Sequence, residues 1–455
     1  HLYRLRYKFM GASNQDIEDL NFIITEGVRL NKLFKLDPEL YKSDFDNDMD
    51  CMFSSLEPPQ YIGKIEYTSI QFNFSSAAQR VLKNIAKRQH GFIEGITVHE
   101  LEIEIRNSIY IHLSNSGNFD SPGCMKILSR AQKRAKKSRT QITYFFPFNA
   151  IGLSPEKEIN IGNLKIIHKD SIYAKVKEDD HYRFFLKSNE DSFNCLLHIP
   201  IPESSSKLSK HRAENVANFI YGVIRVFTTS YHYKADQIIL LNHPFHKDTT
   251  HYIANSNDEY WIEGSYSFNE DLKEFWDLFE EDLKSDIGTV ISKLANHAIS
   301  INGKECLADR LIDAFYWFGE AARDNNENAQ IIKLVTAMER LVTLSDKDIT
   351  NNFCNRIACT IAAYHGDLDR WKSDLSKIYD LRSNLVHGSR NLYKSYDLPL
   401  DFNPFQLAYR AILSTCILFD KVGLELSVKE SILKNIYAEL IEIGKDDKYK
   451  QKKSP

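Results

Sequence analysis

An arginine and a histidine five positions apart, Arg382 and His387, are the pair in this chain best suited to phosphate chemistry. They lie in Tyr379-Asp-Leu-Arg-Ser-Asn-Leu-Val-His-Gly388. Ile378, Leu381 and Leu385 mark one apolar helical face there, while Arg382, Ser383, Asn384 and His387 are polar. Gly388 suits the left-handed residue just past a helix C-terminus. His387 would then stand at the carbonyl end of the helix, where the macrodipole favours a cation. An imidazole moves protons near neutral pH, and a guanidinium holds or neutralises a phosphate through fixed donors. On a straight helix, at ~100° per residue, positions five apart diverge by roughly 140°. Either Arg382 reaches round, or the helix ends at His387, or a second copy completes the site.

Other constellations are less specific. Arg130-Ala-Gln-Lys-Arg-Ala-Lys-Lys-Ser-Arg139, with Lys126, carries seven basic residues and no acid. Lys133, Arg134, Lys136 and Lys137 are the candidate contacts to an RNA backbone. The run has no interleaved aromatics, so a solvated helix or loop is its ordinary reading. The tail lysines (Lys448, Lys450, Lys452, Lys453) rank below it. His243, His246 and His251 have spacings a zinc ion could use, but the segment reads as a loop with no second shell, and no metal is assigned to it. Asp44 to Asp50 imitates half of a calcium loop, with Met49 at the glycine position and Ser55 at the closing glutamate position. An acidic surface loop is the reading there. GxGxxG, GxxxxGK[ST], HExxH and GxSxG are absent from the sequence, which leaves hydride transfer, P-loop hydrolysis and serine-esterase chemistry without support.

The elements that must position these residues follow from composition and period. At 455 residues the chain has room for two or three domains. Its 43% hydrophobic and 26% charged content describes a globular chain with material for a core, not a disordered one. A net charge of -4 excludes a wholesale polycation but not a local basic patch. Seven cysteines without a CxxC pair point to a reducing compartment. No apolar run approaches the ~18 residues needed to span a bilayer, so a cytoplasmic location with no membrane partner is expected.

The period then divides the chain. Residues 1–268 read as a β-rich N-terminal domain with one principal packed helix. Strand-like stretches fall at 64–74, 97–105, 141–148, 172–176, 183–186, 195–201, 237–241 and 260–267, and Val216, Phe219, Ile220, Val223 and Phe227 share a helical face. Residues 269–445 read as an all-α domain opened by a capping box at Ser267-Phe-Asn-Glu270. Its helices are predicted over about 269–299, 305–323, 327–344, 347–364, 367–387, 404–423 and 427–443. Residues 446–455 form a polar tail. The fold class is α+β.

The context of the Arg–His pair resembles a known family. Arg382-Ser-Asn-Leu-Val-His387 resembles the R-x(4–6)-H signature of the HEPN superfamily. Lys333-Leu-Val-Thr-Ala-Met-Glu-Arg-Leu-Val342 is similar to the "alE-L" helix that precedes it in the Apea-like HEPN group. Phe315 to Ala322 fits the helix before that. The likeness covers about residues 300–440, and the first half matches Apea-type anti-phage proteins in layout only. The resemblance implies a homodimer in which two motifs face each other across a two-fold axis. It implies metal-independent RNA cleavage, with the ribose 2′-hydroxyl as nucleophile, to 2′,3′-cyclic phosphate and 5′-hydroxyl ends. Arg382 would hold the scissile phosphate and His387 would act as acid or base. Ser383 or Asn384 would be the polar helper, in a place where many members carry Asn, Asp or His directly after the arginine. Glu339 matches the family's acid, or else forms a structural salt bridge to Arg382. No cofactor is expected. The expected function is an endoribonuclease of an anti-phage, abortive-infection system, toxin-like and restrained until a phage-derived trigger arrives. A non-catalytic dimerisation or RNA-binding module is the alternative.

Overall fold

Thr97 and Glu100 decide a segment whose pattern of alternating apolar residues predicts a strand. In the computed structural model the Thr97 side chain accepts the Glu100 amide and the Glu100 carboxylate accepts the Thr97 amide, a reciprocal cap. Val98–Ser114 follows as a helix. Leu101, Ile105 and Ile109 are fully buried at i, i+4, i+8, whereas Ile103, which completes the alternation, faces outward. The structure describes residues 13–36, 75–115, 119–173, 193–240, 252–256, 259–263, 272–300, 305–344, 348–396, 403–426 and 430–444. The expectations at 64–74, 183–186, 44–50, 243–251, 267–270 and the tail lie outside these residues.

The described chain is mixed α and β, and it forms two compact units. The first is His1–Gln141 with Pro202–Ser209. Its helices are Asn14–Leu36, Ser76–His90, Val98–Ser114 and Ser121–Lys137. Each packs on the next and the first closes on the fourth, around Leu20, Ile23, Leu82, Ile85, Leu101, Ile105, Ile127 and Ala131. The described residues before Thr140 are therefore helical, and the expected β-rich start of the chain is corrected there. The Ser205 amide and hydroxyl join this unit through Gly95 O (2.7 Å) and Glu100 Oε2 (2.7 Å).

The second unit is Ile142–Ile201 with Lys210–Pro455. Its sheet has the order β2-β3-β4-β1-β5, where β1 is Thr140–Ala150, β2 Ile159–Ile161, β3 Leu164–His168, β4 Cys195–Ser204 and β5 Ile239–Leu240. β2 pairs antiparallel with β3, β3 with β4 and β1 with β5, with Ile166 opposite Leu197 and Asn149 opposite Leu240. β6 (Tyr252–Ser256) and β7 (Glu259–Glu263) form a separate hairpin. The strands expected at 141–148, 195–201 and 237–241 are β1, β4 and β5. At the 172–176 position the described residues instead end a short helix, Asp170–Tyr173.

The boundary expected at 268/269 is not where the units separate. The helix Ser206–Ser230 crosses Leu307–Ala322 so closely that a Cβ on Gly222 would stand 2.1 Å from Phe315 O, a contact only glycine permits. Arg225 there donates to Gly319 O, and Phe219 packs edge-on against Phe315 at 5.7 Å. Sheet, long helix and C-terminal helices thus share one core. Those helices are Lys273–Leu283, Asp286–Ile299, Leu307–Ala322, Glu327–Val342, Ile349–His365, Leu368–Val386, Pro404–Val422 and Glu430–Gly444. The single helix expected over 269–299 is two, because Ser285 adopts extended backbone between them.

Candidate functional site

The helix Leu368–Val386 carries the Arg–His motif. Asp367 caps its start, and Leu368, Trp371, Leu375, Ile378, Tyr379, Leu381 and Leu385 form its buried face. That face turns Arg382, Ser383 and Asn384 to the edge of the core, where they are half-buried. The helix ends at Val386. His387 is the C-cap, its amide donating to Ser383 O at 2.9 Å, and its side chain is exposed. Gly388 follows at φ +80°, and a Cβ there would meet nothing within 4 Å. Its requirement is conformational, as a helix C-terminus demands. The helix therefore ends at His387, one of the three solutions the five-residue spacing left open.

Arg382 faces the helix Glu327–Val342. Its Nη2 donates to Glu339 Oε2 at 3.1 Å, and its guanidinium lies 5.8 Å from the centre of the Tyr379 ring. Arg382 Nε is buried with no hydrogen-bond partner. Such an unmade bond costs about 1–3 kcal/mol. Burial, followed by the negative charge of Glu339, pushes the Tyr379 phenol up and keeps it protonated at neutral pH. Tyr379 packs on Phe353 at 4.9 Å between ring centres. Glu339 thus faces two donors, one charged and one neutral.

Side chains from three other elements hold the end of the helix that carries Glu339. Arg310 donates to Arg340 O and Thr343 O, Arg356 to Val342 O and the Tyr437 hydroxyl to Leu341 O, at 3.0–3.1 Å. These bonds satisfy carbonyls that the helix itself leaves open. The loop after the motif is stitched to the same helix at its other end: Asn328 Nδ2 donates to Leu392 O (2.8 Å) and Lys394 O (2.7 Å). Among the described residues, no hydrogen bond or ion pair engages the His387 ring.

The structure joins Arg382 and Glu339 as a salt bridge and adds Tyr379 beside them. Its signal was position, three residues before Arg382 on one helix. His387 is not joined to this cluster. Ser383 and Asn384 act through their carbonyls, toward the His387 and Arg390 amides. The candidate RNA contacts lie on the helix Ser121–Lys137 of the other unit. Lys133, Lys136 and Lys137 are exposed, while Arg134 is bound to Glu104 at 2.6 Å. No described helix is long and apolar enough to cross a membrane. The chain matches no family model, no curated protein and no solved structure.

Proposed function

We propose that this protein is a cytoplasmic, metal-independent endoribonuclease of HEPN type, whose helical domain cuts RNA as a homodimer within a bacterial anti-phage defence system. The observation that carries the reading is the state of the motif. Arg382 is anchored by one bond to Glu339 and is partly exposed, and His387 stands exposed at the helix end. A scissile phosphate would approach the partly exposed end of the Arg382 guanidinium. One imidazole would accept the 2′-hydroxyl proton as that oxygen attacks phosphorus. The other would protonate the departing 5′-oxygen. The bond formed is P–O2′ and the bond broken is P–O5′, which leaves a 2′,3′-cyclic phosphate and a 5′-hydroxyl.

A second copy supplies the second imidazole. Val386, Leu392 and Tyr393, near His387 in sequence, are 49%, 47% and 80% exposed, large apolar side chains that a two-fold contact would cover. The remainder of the chain would sense a phage-derived trigger or restrain the nuclease, and Lys133, Lys136 and Lys137 would guide RNA. The Arg382–Glu339 bond also favours a second reading, a non-catalytic module in which the pair only locks two helices. Cleavage of total RNA by wild type, Arg382→Ala and His387→Ala separates them. The nuclease reading expects cutting by wild type alone. Equal cutting by all three overturns it.

A further inference from the structure

A second cluster of reactive side chains lies in the larger unit, built by three separate segments. His297 sits in the last turn of the helix Asp286–Ile299. Cys306 immediately precedes the helix Leu307–Ala322. Glu425 lies in the turn after Pro404–Val422. Backbone bonds hold the segments in register, from Leu307 N to Leu426 O (3.2 Å) and from Ala308 N to Leu424 O (3.1 Å). Lys293 and Asp420, paired at 2.6 Å, tie the first helix to the third. The ligand atoms of His297, Cys306 and Glu425 all lie within 4.8 Å of one another.

We propose that His297, Cys306 and Glu425 bind a zinc-class divalent cation that clamps these three segments. The donor set is one thiolate, one imidazole and one carboxylate, which suits zinc and its first-row neighbours. Bond lengths of ~2.3 Å to sulfur and ~2.1 Å to nitrogen give a tetrahedral S···N edge of about 3.6 Å. Cys306 Sγ and His297 Nε2 stand 3.6 Å apart, so the two soft donors already have the spacing of ligands to one ion. Glu425 Oε1 is 4.0 Å from the other ring nitrogen, His297 Nδ1, on an exposed arm that must swing toward the thiol to complete the set. Asp309 Oδ1 lies 3.0 Å from His297 Nε2 and Asp309 Oδ2 accepts the Cys306 amide. Asp309 Oδ1 thus faces the same ring nitrogen as the thiol and stands as a further oxygen donor beside it.

Cys306 also occupies an N-cap position, where Ser, Thr, Asp and Asn are favoured and a thiol is a weak acceptor. A residue chosen only to cap this helix would be one of those four. The choice of sulfur is explained by a ligand. None of these residues belongs to the Arg382–His387 site, and the clamp takes no part in the proposed cleavage.

The test is titration of the metal-free full-length protein with cobalt(II), a spectroscopic stand-in for zinc. Wild type is expected to bind one ion with a thiolate-to-cobalt charge-transfer band, and zinc is expected to displace it and raise the melting temperature. Cys306→Ser keeps a competent cap, so its metal-free melting temperature should hold while the band is lost. Asp309→Asn, which removes a charged oxygen donor beside the thiol, should weaken cobalt binding. No thiolate band in wild type, or an undiminished band in Cys306→Ser, overturns the proposal.

Discussion

Two arginine–carboxylate clusters in this molecule differ in how completely they are satisfied. In the smaller unit Arg88 donates to Asp16 at 2.8 Å and also pairs with Asp19. Asp16, 2% exposed, accepts further bonds from Gln89 Nε2 (2.9 Å) and from the Ser13 amide and hydroxyl. That is a closed network in the seam between two helices, where each charge is met. In the larger unit Arg382 has one carboxylate, one bond and an unpaired buried Nε. The first arrangement stabilises. The second leaves a buried donor unmet beside a single carboxylate bond.

The sharpest way to break this contrast is to delete the motif. His387→Ala should lower RNA cleavage about 10²–10⁴-fold, the usual contribution of a positioned acid or base. Its melting temperature should be unchanged, because the side chain is exposed and unengaged. Gel-resolved cleavage rates beside a thermal scan check both halves. The next effect is on stability and is reversed between clusters. Asp16→Ala should cost about 2–3 kcal/mol, since it strands a buried network. Arg382→Ala should cost about 1 kcal/mol or less, as a partly exposed pair. Denaturant titration of both variants measures the difference, and equal costs would erase the distinction.

Acid sharpens it further. Burial alone would raise the Asp16 carboxyl, but the bonds from Ser13 and Arg88 outweigh burial and hold it below its ordinary value. A carboxyl held low in the fold contributes stability above its unfolded pKa, and loses it as pH falls through the folded one. Melting temperature should therefore drop at acid pH in wild type, and Asp16→Asn should flatten that part of the profile. The smallest expected effect is none: chelator should leave cleavage unchanged while abolishing any zinc-dependent rise in melting temperature.

Much of the site was legible because its information is local. The motif helix, its buried face, its end at His387 and the left-handed glycine behind it all follow from about ten consecutive residues. The upstream helix was equally readable from the stripe Ile331, Val335, Met338 and Val342. Three things were not legible. At Thr97 to Ile105, alternating apolar residues suit a strand and a helix alike, and a reciprocal cap decided for the helix. The domain boundary was misplaced because a change of period marks a change of element, not of core. Gly222 against Phe315 joins the sheet's long helix to the C-terminal bundle across a separation no local pattern records. The His297–Cys306–Glu425 group stayed hidden for the same reason, since its members come from three separate segments that only the packed chain brings together.

The most direct measurement of the central claim is to map the RNA ends produced by the purified protein in the presence of chelator. The account predicts 2′,3′-cyclic phosphate and 5′-hydroxyl termini, made by wild type and by neither Arg382→Ala nor His387→Ala. Termini bearing 5′-phosphate, or cutting that chelator abolishes, would contradict it and place the chemistry elsewhere in the chain.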